Sequence, residues 1–217
     1  MKAKQAKDVK GAPTVRGRPA VTARTAGAEA IVPLTPERWG DFVALFGPRG
    51  ACGGCWCMAW RLGSREFEAA KGDGNRRSMQ QRVKRGPPPG LLAYHGGVPV
   101  GWVSVAPRSE FRRLEGSRVL KPLDAVPVWS VSCLYLATVA RRQGLSSRLL
   151  RAAAEFAFAH GAPAVEGYPV VPKHAAMPDV FAWTGIEASF RSAGWTRAGA
   201  WSKSRPIWRT MAAARRN

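Results

Sequence analysis

Hydrophobic and polar positions change period several times along this chain, and each change marks an element. AEAIVPLT (28–35) is a short apolar run that predicts a first strand at the start of the folded part. Thr35-Pro36-Glu37 then reads as a helix start, with Thr35 as cap and Pro36 at the first helical position. Trp39, Phe42, Val43 and Phe46 give that helix an apolar face. Residues 64–85 read as one polar helix, which Gly86-Pro87-Pro88-Pro89-Gly90 ends. LLAYH (91–95) and VPVGWVSVA (98–106) are two strands joined by Gly96-Gly97, a two-residue hairpin turn.

A long charged segment, 107–126, precedes PVWSVSCLYLA (127–137), a buried strand rich in β-branched and aromatic residues. In the next helix Leu145, Leu149, Ala152, Ala153 and Phe156 follow the 3.6-residue period, and Gly161 closes it. PAVEGYPV (163–170) is a further strand and IEASFRSAG (186–194) a short helix; GWTRAGAWS and RPIWRTMA close the chain as a hairpin. The order predicts a mixed α+β fold, with antiparallel hairpins at both ends of the sheet and one strand–helix–strand unit in the middle.

Length and composition add bounds. With 217 residues, 46% of them hydrophobic, the chain is expected to bury a sizeable core in one domain. Residues 1–28 hold few large apolar side chains and read as a basic, disordered tail; 29–217 form the domain. No apolar run approaches the ~18 residues that span a bilayer, so no membrane partner is expected. The N-terminus lacks the apolar core of a secretory signal. The expected location is cytoplasmic, where four cysteines serve as thiols or ligands rather than disulfides. The formal net charge of +20 attracts polyanions: nucleic acid, acidic protein or a phosphorylated cofactor.

The most informative junction is CLYLATVARRQGLSSRLL (133–150), where a buried strand ends, a basic turn with one glycine follows and a long helix begins. Amides at a helix start have no partner within the helix, and the helix dipole is positive there, so a pyrophosphate docks well. Gly144 permits close approach, Ser146 adds a hydroxyl, and Arg141 and Arg142 add charge. Arg141-Arg142-Gln143-Gly144-Leu145-Ser146 resembles the Arg/Gln-x-x-Gly-x-Gly/Ala signature of the GNAT superfamily of acyl-CoA N-acyltransferases, with Ser in the last place. The element order over about 29–213 is similar to that family's, and CWCMAWR, GWVSVAPR, SRVLKP, VWSVSC, VEGYPV, FAWTG and SRPIWR resemble a bacterial subgroup of it. The resemblance implies a mixed, mostly antiparallel sheet flanked by helices and splayed between its fourth and fifth strands. It implies acetyl-CoA as acyl donor, with the turn 141–146 on the pyrophosphate and the backbone of Leu134, Tyr135 and Leu136 on the pantetheine arm. A backbone N–H near Leu134 would polarise the thioester carbonyl.

The implied reaction is transfer of an acetyl group to an amine by direct attack in a ternary complex. An ammonium acceptor must first lose a proton. The positions where many members carry a Glu base and a Tyr acid hold Ser130 and Phe190 here, and neither serves those roles. Glu166, in VEGYPV, is the replacement base; Tyr168, two residues on and so on the same side of the strand, is the replacement acid. Cys133, inside the fourth strand, is the third candidate. Each has a plain structural alternative: a partner for an arginine, a packed aromatic, a small buried hydrophobe. The other functional reading is a catalytically weak acyl-CoA-binding module whose tail makes weak, nonspecific nucleic-acid contacts or tethers it to an acidic partner. The acceptor is not named by the sequence, and both a monomer and a homodimer are compatible with it.

ACGGCWCMAW (51–60) holds Cys52, Cys55 and Cys57. A structural zinc site needs four ligands, and His95, His160 and His174 are not spaced as a pair, so no metal is expected. A redox CxxC belongs at a helix start after a strand, which this segment is not. The remaining reading makes Trp56, Met58 and Trp60 the apolar wall of the acceptor site, with core capping as the alternative. Arg108, Arg112, Arg113 and Arg118 in the charged segment face an acidic acceptor or the 3′-phosphate of CoA, or else form a solvated face.

Overall fold

The computed structural model describes residues 29–171 and 182–213. The expected tail at 1–28, His174 and Phe181 of FAWTG lie outside them. The described strands are β1 (Ala30–Pro33), β2 (Gly90–His95), β3 (Val98–Pro107), β4 (Val128–Leu136), β5 (Ala164–Gly167), β6 (Thr196–Ala200) and β7 (Pro206–Met211). They form one sheet in the order β1-β2-β3-β4-β5-β7-β6. Every pairing is antiparallel except β4 with β5. This is the mixed, open α+β sheet the pattern predicts. Gly96 and Gly97, with φ of 55° and 77°, make the β2–β3 turn that a side chain would strain.

The helices are α1 (Trp39–Phe46), α2 (Ser64–Ala69), α3 (Asp73–Arg85), α4 (Arg112–Glu115), α5 (Leu145–Ala159) and α6 (Glu187–Ser192). The apolar stripe of α5, including Leu145, Leu149, Leu150 and Ala153, packs on one face of the sheet against Val103, Val131 and Val165. The opposite face carries a second core of Phe42, Phe46, Trp56, Met58, Trp102 and Cys133, closed by α1 and α3. A smaller core of Phe111, Leu114, Leu120, Tyr168 and Ile207 lies under the charged segment.

Three local readings change. The polar helix at 64–85 is two helices, broken at Gly72, whose φ of 83° no helix accommodates. Thr35 makes no side-chain cap; the chain enters α1 through a 3₁₀ turn at Pro36–Arg38, and the Thr35 hydroxyl accepts from Arg38 Nη1 at 3.1 Å. The fifth strand ends at Gly167, short of the Tyr168-Pro169-Val170 run.

Two features shape the middle of the sheet. β4 and β5 pair only from Val128↔Ala164 to Val131↔Gly167 and then part. The ring of Phe190 occupies the space above Gly167 and Gly185, where a Cβ on either glycine would collide with it. This residue, fully buried against Trp195 and Trp208, is a wedge where the strands diverge. The second feature is a bulge in β4. Ser104 pairs with Cys133 and Val105 with Val131, which leaves Ser132 without a partner of its own. Val131 and Leu134 therefore face α5, while Ser132 and Cys133 both face the α1 side, the Ser132 hydroxyl donating to Ser104 Oγ at 3.1 Å.

Candidate active site

Where β4 leaves β5, a groove of about 830 Å³ opens. One wall is the end of β4, Leu134 to Leu136; the floor is the turn from Arg141 to Ser147; the far wall runs through Trp183, Gly185 and Ile186 to Ser189. Arg49 to Gly53, from the glycine-rich loop after α1, complete it. Of the residues expected on the cofactor, Leu134, Tyr135, Leu136, Arg141, Arg142, Gly144, Leu145 and Ser146 line this groove. Gln143 does not: its Nε2 donates to the Val139 carbonyl at 2.9 Å, and it faces a separate cavity beside Glu29 and Ile31. Arg49 and Cys52 are groove residues that sequence reading missed.

The turn is built for an anion. Gly144 precedes α5 with φ 73°, and a Cβ there would meet nothing within 4 Å, so its surroundings are open. Among the described residues, no carbonyl is assigned to the amides of Arg142, Gln143, Gly144, Leu145 or Ser146; the first two amides of α5 to find one are Ser147 and Arg148, both on the Gly144 carbonyl. Arg142, itself at φ 59°, and Arg49 add exposed positive charge beside the donors of the helix start. The strand edge is less free. The Leu134 amide donates to the Trp183 carbonyl at 2.7 Å, so the group expected to polarise a thioester is occupied by the chain itself. Strand alternation sets the Leu136 amide on the same edge.

Glu166 and Tyr168 share one buried cluster on the α1 side of the sheet, outside the groove. The Tyr168 hydroxyl donates to Glu166 Oε2 at 3.2 Å and accepts from Arg108 Nη1 at 3.0 Å, and it lies 2.7 Å from Ser130 Oγ. Arg209 holds Glu166 Oε1 through Nη2 at 2.6 Å and Nε at 3.1 Å, and reaches on to Asp124 at 2.6 Å. Burial, and then the charge of Glu166, push the Tyr168 hydroxyl well above its usual range. Arg108 is not a surface residue: it is buried, donates to the Leu114 and Leu120 carbonyls, and anchors the charged segment over Tyr168. Arg112 pairs with Glu66 at 2.8 Å and Arg113 lies over Trp60, so neither faces the groove.

The cysteine stretch is mostly core. Trp56 is 3% exposed and stacks on Phe46 at 5.9 Å and 15°; Met58 is 4% exposed. Both sit beneath the surface rather than on a ligand wall, because the loop turns them onto α1. Trp60 is half-buried and packs against Trp183 at 5.7 Å across the sheet's open side. Ala51, Trp56 and Cys57 all take positive φ, a strained conformation of about 1–3 kcal/mol each that the packing must offset. Among the described residues, no group of three or more His, Cys, Asp or Glu side chains is placed to hold a metal. Nor is any described helix long and apolar enough to cross a membrane.

A profile of the Acetyltransferase (GNAT) family matches residues 56–178, more than half the chain. The chain belongs to that family. The match covers β4, the turn and α5, so the groove just described lies on the part of the GNAT domain that defines it. No curated protein matches the sequence. Among solved structures, a GNAT acetyltransferase from Listeria monocytogenes superposes with a TM-score of 0.52 at 11% identity, over 87% of this chain and 99% of its own. One from Streptococcus agalactiae gives 0.51 at 12% identity, over 87% and 98%. The yncA protein of Salmonella typhimurium, solved with its cofactor acetyl-CoA, gives 0.50 at 13% identity, over 86% and 95%. At these identities the likeness is one of fold.

Proposed function

We propose that this GNAT protein is an acetyl-CoA-dependent N-acetyltransferase acting by direct attack of an amine on the thioester. The observation that carries the reading is the run of unassigned amides from Arg142 to Ser146, open to a groove that continues along the free edge of β4. A pyrophosphate fits that turn by charge and by donor count, with Arg142 and Arg49 beside it. The pantetheine arm runs along β4, where the Leu136 amide, and the Leu134 amide once Trp183 lets go of it, supply donors. Acetyl-CoA bound to a GNAT-fold neighbour supports the choice of donor.

The amine enters from the α1 side. Its lone pair forms the C–N bond, and the tetrahedral intermediate collapses with the CoA sulfur as leaving group. What supports Glu166 and Tyr168 as proton carriers is their direct hydrogen bond on that side. What weighs against them is that Arg209 fixes the carboxylate and that Phe111, Leu114 and Leu120 cover the hydroxyl. Cys133 stands on the same face, one residue from Leu134. Release of free thiol from acetyl-CoA, followed with a panel of small amines, amino acids and peptide N-termini, tests the function. Acetyl-CoA binding without turnover of any amine would favour a binding module instead.

A further inference from the structure

The loop after α1 and strand β4 bring two thiols together where the proposed reaction lacks a free proton acceptor. Cys133 lies opposite Ser104 in the β3–β4 register and faces the α1 side. Tyr135, two residues along β4 on the same face, lines the groove. That step is about 6.8 Å, so Cys133 stands just inward of the groove wall. Cys57 packs against it. The indole Nε1 of Trp102, on the same face of β3, donates to Cys57 Sγ at 3.2 Å.

Positive and polar groups converge on Cys57. The guanidinium of Arg61 is buried next to it, held by Glu110 Oε2 at 2.7 Å and by the Pro89 carbonyl at 3.1 Å, with its Nε left without a partner. Ser104 lies beside both. Burial pushes the Cys57 thiol up, but the Cys133 thiol as donor, the charge of Arg61 and the Trp102 N–H outweigh it and hold Cys57 at about 7. Cys133 is driven the other way, first by its hydrogen bond to Cys57 and then by burial, so it keeps its proton. Cys55 is the other titratable group facing the pair, and its own burial raises it; Glu110 and Arg82 act on Cys57 only through Arg61. The backbone of Cys57 is held at φ 59°, so the fold fixes the sulfur at the expense of local strain.

We infer that Cys133 and Cys57 together form the proton acceptor of the transfer, with the Cys133 thiol meeting the amine and Cys57 behind it carrying the negative charge. This rests on the acetyltransfer reading above. The ammonium gives one proton to Cys133 Sγ as the Cys133 S–H proton passes to the Cys57 thiolate. The freed lone pair forms the C–N bond at the thioester carbonyl. On collapse the C–S bond breaks, the CoA sulfur leaves with the electron pair, and the nitrogen's second proton converts it to the thiol. Cys57 releases its proton to solvent before the next turnover. Cys133 is the catalytic residue; Cys57, acting through it, and Arg61 and Trp102, acting through Cys57, are positioning residues. A base with an affinity for protons near that of neutral water is the efficient choice.

The test is a titration of thiolate absorbance near 240 nm in the whole protein, free and with acetyl-CoA. Wild type is expected to show one thiolate with a midpoint near 7, missing in Cys57→Ser and Cys57→Ala and moved upward in Cys133→Ser. Acetyl-CoA affinity by calorimetry should change less than threefold in these variants. In any amine assay that turns over, the acid limb of kcat should follow the same midpoint and rise in Cys133→Ser, with KM for acetyl-CoA unchanged. A midpoint at the ordinary ~8.5 of a free thiol, or an acid limb that stays near 7 in Cys57→Ser, overturns the inference. Failure of wild type to bind acetyl-CoA at all is a different result, and overturns the acetyltransfer reading itself.

Discussion

The Leu134 amide donates to the Trp183 carbonyl at 2.7 Å, so the chain closes on the strand edge that a pantetheine arm would use. The contact is backered on the other side by Trp183 packing against Trp60 at 5.7 Å. An aromatic pair of this kind contributes about 0.5–1.5 kcal/mol. Replacing Trp183 with Ala loosens the segment without removing its carbonyl. Acetyl-CoA, which competes for the same donor, is then expected to bind about 2- to 10-fold more tightly. Calorimetric titration of the variant checks this, and weaker binding would show that Trp183 holds the ligand rather than the edge.

Gly167 lies directly beneath the Phe190 ring, and a methyl there has no room. Gly167→Ala is expected to lower stability by about 1–3 kcal/mol through overpacking, read as a fall in Tm of about 3–10 °C. Pairing it with Phe190→Leu, which shortens the wedge, should recover part of the loss. No recovery would mean that the parting of β4 and β5 does not depend on this contact.

Glu166 is 1% exposed and owes its charge balance chiefly to Arg209 at 2.6 Å, with Arg108 no closer than 4.0 Å. Arg209→Met strands a buried carboxylate, at a cost of about 3–5 kcal/mol. Adding Glu166→Gln removes the stranded charge and should return most of that stability. Denaturant unfolding of the single and double variants decides the point. If Glu166→Gln alone leaves acetyl transfer intact, Glu166 is a structural partner and not the base.

The two thiols give stability a pH dependence of definite sign. The folded Cys57 holds its proton less tightly than in the unfolded chain, so stability rises with pH from about 7 toward the unfolded value near 9. Cys133 and Cys55 are raised in the folded state, so their contribution falls above that value. Tm is therefore expected to climb from pH 7 to about 8.5 and decline beyond it. Cys57→Ser should flatten the climb. A wild-type Tm that falls steadily across this range would contradict the assignment of Cys57.

Much of this was legible in the sequence, for local reasons. Gly96-Gly97 names a hairpin turn because few residues tolerate its φ values, and the strand–Gly144–helix junction marks itself because a phosphate turn needs a short, specific run. Gly72 carried a signal of the same kind, in Lys71-Gly72-Asp73-Gly74, but the helical pattern on both sides masked it. Other features were not local. Trp56 and Met58 are apolar, and apolarity does not separate a core residue from a ligand wall; the positive φ at Trp56 and Cys57 decides which way they turn. The cluster of Glu166, Tyr168, Arg108 and Arg209 joins residues 43 to 60 positions apart, a pairing that no spacing rule in one sequence reveals. The meeting of Cys57 with Cys133 has the same origin, since it needs the β4 bulge to turn Cys133 toward α1.

The most direct measurement is acetyl-CoA binding to Gly144→Glu beside wild type, by calorimetry. A glutamate at this φ of 73° strains the turn and points a carboxylate at the phosphates. Saturable binding by wild type and a loss of at least 100-fold in a variant that remains folded is the expected result. Equal affinity in the two proteins would contradict the assignment of the turn, and with it the proposed acetyl transfer.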